Sequence, residues 1–375
     1  MRILIMANFL AGSSGNFINS LLALADFCKS KGDGVCFLFP LRDDGTEPNW
    51  MAYIRDAGYT VYTYNNEQNN SKEFLADLIK AEKIDLIHSH FSCMHNLLLW
   101  DEDIRRSVKI LFHDHMDYIA DQPEKPQKQK QKKLAKRYRM YGIGVISVMK
   151  KKNRGYLTVP KHKYIPNGLT LKRNVSRSLT REEYREKLGL SENDRLCLFL
   201  GWDIYRKGVD TAIKAIRKCR ESNDNIYLGI VGFGPRPSEQ KVEIIEKYLG
   251  FSPFCEGVRF LDTEEDMFAL HRAADVYLSA SRTEAFSYGL LEAISQNVPI
   301  AVSNIPGTRW AAKYTKCRVF DTESPDDCAR AVSELLPLRW KESNRDKFMK
   351  KYNIDDWCKR VYKMYKRMVS SGVGR

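Results

Sequence analysis

The sequence predicts an α/β protein of two doubly wound, Rossmann-like domains facing each other across a cleft, and three observations predict it. Short apolar and β-branched runs alternate with helix-like periods along nearly all 375 residues, which is the signature of βα units in a parallel sheet covered on both faces. The alternation lapses over a charged connector, Leu171 to Asn193, and restarts at Arg195-Leu-Cys-Leu-Phe-Leu-Gly201. The length also exceeds what a single core usually supports. The domains are therefore placed at 1–170 and 171–375, with the last helix, about 355–371, able to pack back on the first domain.

In the first half, Arg2 to Met6 reads as a strand. A loop follows, Asn8-Phe-Leu-Ala-Gly-Ser-Ser-Gly15, and then an amphipathic helix from Asn16 to about Ser30. Val35 to Phe39, Tyr59 to Tyr64, Ile84 to His88, Lys109 to Phe112, Gly144 to Val148 and His162 to Ile165 read as later strands. In the second half the strands after Arg195 are Asn225 to Val231, Gly257 to Leu261, Asp275 to Leu278, Pro299 to Val302 and Arg318 to Phe320. The last helix carries Trp357, Val361, Met364, Tyr365 and Met368 at helical spacing. Ligands of open α/β sheets sit beyond the carboxyl ends of the strands, so the cleft is the expected binding place.

A net charge of +14 and pI of about 9.2 suit an acidic partner: nucleic acid, an anionic membrane face or a phosphorylated substrate. Nine scattered cysteines with no Cys-x-x-Cys pair argue for a reducing compartment and against a zinc ribbon or a disulfide framework. No run approaches the roughly 18 apolar residues of a membrane span, and Met1 to Ala7 is too short for a signal peptide. The expected location is cytoplasmic, with peripheral binding to the inner face of the membrane as an option. Lys125 to Arg139 is the densest basic run. It reads either as an exposed helix face or as a patch against anionic phospholipid; no nucleic-acid-binding module accompanies it.

The stretch Ser279-Ala-Ser-Arg-Thr-Glu-Ala-Phe-Ser-Tyr-Gly-Leu-Leu-Glu292 reads as a strand end, a polar loop and a helix N-terminus. Unpaired backbone N–H groups and the helix dipole make such a terminus an anion site. Glu284 and Glu292 flank it, and carboxylates accept hydrogen bonds from hydroxyl groups. An anion cradle between two hydroxyl acceptors describes a ligand carrying both phosphate and sugar.

A Gly-rich loop after strand one is followed in order by Ile165-Pro-Asn-Gly168, Gly201 to Lys207-Gly208, Val231-Gly-Phe-Gly234, Ala274-Asp275 and Glu284-x7-Glu292. This series resembles the family 4, group 1 type glycosyltransferases of the GT-B fold. The resemblance implies a hexosyltransferase-type enzyme that moves a sugar from a UDP- or GDP-sugar to an acceptor hydroxyl with retention, using no cofactor and no metal. It implies catalytic roles for His113, Lys207 and Glu284. Glu284 would contact donor-sugar hydroxyls, Glu292 the ribose, and Lys207 the diphosphate. The amides around Phe286, Ser287, Tyr288, Gly289 and Leu290 would hold sugar and phosphate oxygens. The loop ending at Gly15 would approach the diphosphate from the other domain. Trp202 stands where the family usually has Arg, and Arg206 is the candidate replacement charge. The common Glu-Gly-Phe-Gly reads Glu284-Ala-Phe-Ser287, and Pro306 and Trp310 interrupt a usual glycine pair.

The implied acceptor is a saccharide or lipid-linked molecule in polysaccharide or glycoconjugate biosynthesis. Two other readings stay open at this point. One is a non-catalytic, transferase-like partner subunit. The other is a metal-dependent hydrolase, because five of seven histidines cluster as His88-Ser-His90, His95 and His113-Asp-His115. Asp101-Glu-Asp103 follows an apolar helix-like run and is expected to be a helix terminus or a solvated face.

Overall fold

The computed structural model describes residues 1–65, 71–91, 93–115, 126–149, 158–172, 175, 177–264, 266–338 and 345–370, with the side chains of 126–131 excepted. The chain divides into two compact units, Met1–Lys172 together with Tyr352–Arg375, and Arg173–Lys351.

The first unit holds seven parallel strands: β1 (Arg2–Ala7), β2 (Gly34–Pro40), β3 (Thr60–Tyr64), β4 (Leu86–His90), β5 (Lys109–Asp114), β6 (Gly144–Ser147) and β7 (His162–Tyr164). Their order across the sheet is β3-β2-β1-β4-β5-β6-β7. The second unit holds six: β8 (Arg195–Leu200), β9 (Ile226–Val231), β10 (Val258–Leu261), β11 (Val276–Ser279), β12 (Ile300–Ser303) and β13 (Cys317–Phe320), ordered β10-β9-β8-β11-β12-β13. Each sheet winds outward from its first strand in one direction and then in the other. The reversal leaves a crevice between β1 and β4 in one unit and between β8 and β11 in the other. The strands are short apolar runs because both faces are covered. Ile3 to Ala7 and Leu196 to Phe199 are at most 1 % exposed.

The strand expected at Ile84–His88 begins at Leu86 and runs to His90, so both histidines of His88-Ser-His90 are strand residues. The supposed connector Leu171–Asn193 is not featureless. It contains the helix Arg181–Lys187, opened by a capping box in which Thr180 and Glu183 satisfy each other's backbone N–H groups. The dense charges that hid this helix in the sequence hold it in place: Arg181 and Arg185 both reach Asp275. Asp101 caps the helix Glu102–Ser107, accepting from Ile104 N at 3.1 Å, and it pairs with Lys72.

The last helix, Ile354–Ser370, belongs to the first unit and buries Trp357, Val361, Met364, Tyr365 and Met368. Gly168 lies against it, so closely that a Cβ there would come within 2.6 Å of the Trp357 side chain. Among the described residues no helix is long and apolar enough to cross a membrane.

Candidate functional site

In the second unit the residues singled out from the sequence converge on the crevice between β8 and β11. After β8 the chain makes a short helix, Ile204–Lys207, capped by Asp203 and ended by Gly208 in the left-handed region at φ +70°. A Cβ on Gly208 would meet the Ala280 carbonyl oxygen at 2.2 Å, so only glycine lets this turn lie against the end of β11. The loop from β11 returns the contact: Arg282 N donates to the Arg206 carbonyl at 2.8 Å. Arg282 also grips Asp210 with two nitrogens, at 2.9 and 2.8 Å, and reaches Glu323. Burial opposes the Arg282 charge, but its hydrogen bonds to Asp210 and Glu323 outweigh that and raise its pKa. The two loops are thereby clamped, and Lys207 Nζ comes to 2.5 Å from Glu284 Oε2.

Beyond Glu284 the loop ends at Ser287, whose hydroxyl accepts from Leu290 N at 3.3 Å and caps the helix Tyr288–Ser295. Gly289, Leu290 and Glu292 lie buried in this helix. Glu292 Oε2 is 3.5 Å from His271 Nε2, a close contact without hydrogen-bond geometry. Burial, and after it the negative charges of Glu284 and Glu292, push the Tyr277 phenol above its ordinary value. Phe286 stacks on Trp310 with centroids 4.5 Å apart and planes 4° from parallel, and Trp310 Nε1 donates to the Gly307 carbonyl.

Arg206, the candidate replacement for the missing family arginine, pairs with Asp203 at 3.1 Å and lies over the exposed Trp202 ring at 4.5 Å. Its charge is partly committed to those neighbours.

In the first unit the register aligns Ala7, His90 and His113 in one row at the carboxyl ends of β1, β4 and β5. His88 lies two residues before His90 and so points to the same face. His88 Nε2 lies 3.2 Å from His113 Nδ1, and His90 Nδ1 lies 2.9 Å from His115 Nε2. One ligand atom from each of His88, His90 and His113 falls within 4.8 Å of the others, close enough that the trio could hold a metal ion. Burial lowers the pKa of His88 to about 3 and holds His90 and His113 well below the ordinary imidazole value. Gly15, at φ +51°, opens the helix Gly15–Lys29. Phe17, two residues on, meets the rings of His90 and His115 at 5.4 and 5.7 Å, so the glycine loop and His113 share one end of this sheet.

The basic run forms the helix Pro126–Met140. Lys125 and the side chains of 126–131 lie outside the described residues. Lys132, Lys133, Lys136 and Arg139 are exposed, while Ala135 and Tyr138 face the core and Arg137 lies over the Trp100 ring at 3.5 Å.

The sequence reading gave no site role to Asp210, His271, Tyr277 or Arg282, and took Tyr365 only as a helix-face residue and Trp310 only as a departure from the family pattern. Tyr277 lies within the expected strand Asp275 to Leu278, and nothing local to it or to His271 signals a carboxylate neighbour.

Residues 180–354 match the family model described as glycosyl transferases group 1. The lipopolysaccharide glucosyltransferase WaaG of Escherichia coli K12 is 31% identical over 201 residues, which is 51% of this chain and 52% of WaaG. The chain thus spans about half the length of the curated relatives it matches. A glycosyltransferase from Rickettsia africae superposes with a TM-score of 0.73 at 15% identity, covering 99% of each chain. HepE of Anabaena, solved in complex with UDP-glucose, superposes with a TM-score of 0.72 at 14% identity over 98% of this chain and all of HepE. Residues 180–354 are thus similar to the group 1 glycosyl transferases, and the chain has the two-unit α/β fold, GT-B, of the solved structures it superposes on.

Proposed function

We propose that the chain is a retaining glycosyltransferase that moves a sugar from a nucleoside diphosphate sugar, with UDP or GDP as the nucleotide, to an acceptor hydroxyl without a bound metal. One observation carries the reading: the ion pair of Lys207 and Glu284 lies beside the capped helix start at Ser287, in the crevice between β8 and β11. Here a cation, an end-on helix dipole and a carboxylate stand together, as a ligand with both phosphate and sugar requires.

Cleaving the sugar–phosphate bond leaves positive charge on the sugar ring and negative charge on the departing diphosphate. Lys207 turns from Glu284 to that diphosphate, and the amides of Ser287 to Leu290 receive its oxygens. Glu284, released, accepts from the hydroxyls of the transferred sugar, and Glu292 from those of the ribose. Fixed charges of this kind are worth about 2.7–4 kcal/mol for each donor aimed at the developing anion. The departing phosphate takes the acceptor's proton, so no protein nucleophile is used. Phe286 and Gly15 shape the surroundings of the sugar and diphosphate, Arg206 adds cationic field, and His113 contacts the reacting sugar.

The donor class is supported by the UDP-glucose bound to HepE. A lipid-linked or cell-surface saccharide as acceptor is supported by the lipopolysaccharide named for WaaG. The exposed lysines of the helix Pro126–Met140 fit an anionic membrane surface and support a peripheral location on the cytoplasmic face as part of this proposal, with no nucleic acid among the proposed partners.

The test is turnover of UDP- and GDP-sugars by the purified full chain, with thermal-shift screening of UDP, GDP and ADP to find the nucleotide. Absence of both hydrolysis and transfer, with no nucleotide raising the melting temperature, sinks the proposal. The histidine trio carries the rival metal-hydrolase reading. A stoichiometric metal whose chelation abolishes activity would favour that reading instead.

A further inference from the structure

The Tyr365 hydroxyl lies 2.7 Å from His88 Nδ1, and His88 Nε2 lies 3.2 Å from His113 Nδ1. All three side chains are at most 3 % exposed. The far nitrogen, His113 Nε2, is buried and has no hydrogen-bond partner. Both rings are buried among other uncharged rings, where the neutral imidazole carrying one proton is the form that avoids an unpaired buried charge. Only two proton arrangements make both hydrogen bonds.

In the first, Tyr365 donates to His88 Nδ1, His88 Nε2–H donates to His113 Nδ1, and His113 carries its proton on Nε2. In the second, every donor reverses: His113 Nδ1–H donates to His88 Nε2, and His88 Nδ1–H donates to the phenol oxygen. His113 Nε2 is then a bare acceptor, and the phenolic proton points into an apolar interior. Among the described residues Tyr365 has no hydrogen-bond partner other than His88, so this second arrangement strands two buried polar groups where the first strands one.

We propose that Tyr365 and His88 are positioning residues that lock His113 as the Nε2–H tautomer, so that it offers substrate a hydrogen-bond donor and cannot act as a general base. The relay runs from the last helix through β4 to β5. It therefore gives Ile354–Ser370, far along the chain from the histidines, a direct hold on the reacting group. The inference rests on the proposed transfer reaction only for the role of His113; the tautomer is a property of the protein alone. In that reaction the donated hydrogen bond goes to an oxygen of the transferred sugar. The acceptor's proton must then leave by another route, which agrees with its transfer to the departing phosphate.

The test is long-range proton–nitrogen correlation NMR on the full chain with 15N-labelled histidine at neutral pH. The result expected is a pyrrole-type Nε2 and a pyridine-type Nδ1 for His113, unchanged by a chelator. In Tyr365→Phe the phenolic donor is lost, and the expected His113 signals are those of mixed tautomers. Should the chain be active, this variant should lower kcat about tenfold with little change in donor KM. A His113 protonated at Nδ1 in the unsubstituted chain overturns the proposal, as does a His113 shift that moves on chelation. Because the unsubstituted chain supplies the primary readout, neither misfolding of a variant nor failure of the transferase reading obscures the answer.

Discussion

Lys207 Nζ and Glu284 Oε2 stand 2.5 Å apart in a partly buried pair, each side chain less than 15 % exposed. The charge proposed to meet the diphosphate and the carboxylate proposed to meet the sugar therefore neutralise each other until a donor separates them. Lys207→Ala should lower kcat about 10²–10³-fold, the loss typical of one preorganised donor to a developing anion. Turnover kinetics beside a circular-dichroism melt check it; full turnover by a folded variant would remove Lys207 from the chemistry.

Gly307 fixes the loop that carries Glu284. A Cβ at this position would lie 1.7 Å from the Glu284 carbonyl oxygen, a backbone atom that cannot step aside without moving the loop. Gly307→Ala should destabilise the second unit by about 1–3 kcal/mol, as overpacking does. It should also weaken nucleotide binding, because Glu284 is displaced with its backbone. Urea unfolding followed by nucleotide thermal shift measures both, and a variant with an unchanged urea midpoint would contradict the close approach.

The buried histidines make stability depend on pH. Burial depresses His88 to about 3 and lowers His90 and His113 well below their ordinary value. In the unfolded chain each returns to about 6.5. Between those limits the unfolded state binds more protons than the native one, so stability rises with pH. The contribution is complete above about pH 6.5 and falls as the solution is acidified toward pH 3, with a limiting slope of about 1.4 kcal/mol per pH unit for each ring. Urea midpoints measured from pH 7.5 to 4.5 should fall steadily below pH 6.5. His90→Gln should flatten the fall, and an unchanged slope in that variant would show that the ring is not buried neutral.

The face of the helix Pro126–Met140 that carries Lys132, Lys133, Lys136 and Arg139 should bind vesicles containing anionic lipid and release them at high salt. Each basic residue near such a surface contributes about 1 kcal/mol, and the attraction falls off within a Debye length. Replacing the four with Gln should abolish sedimentation with anionic vesicles while leaving the fold intact. Equal binding to neutral vesicles would show that charge is not the cause.

What the sequence determined by itself is everything written in short-range pattern. The strands came from their apolar runs, the helix starting near Ser287 from its cap and periodicity, and the doubly wound class from the alternation of the two. The capping box of Thr180 and Glu183 is also a short-range pattern, but it goes unread because the dense charge around it makes the stretch look like a connector. Donor-site candidates such as Lys207, Glu284 and Glu292 were visible because each lies in a local motif. Only the tertiary structure decided their partners. Lys207 meets Glu284 across 77 residues, Arg282 meets Asp210 across 72, and Tyr365 meets His88 across 277. Such pairs form because parallel strands bring distant carboxyl ends into one row, and the order in which strands lie side by side is not set by residues near one another in the chain. For the same reason the histidines could be counted in the sequence, but the proposed choice of which His113 nitrogen carries the proton rests on a tyrosine that the fold returns from a distant part of the chain.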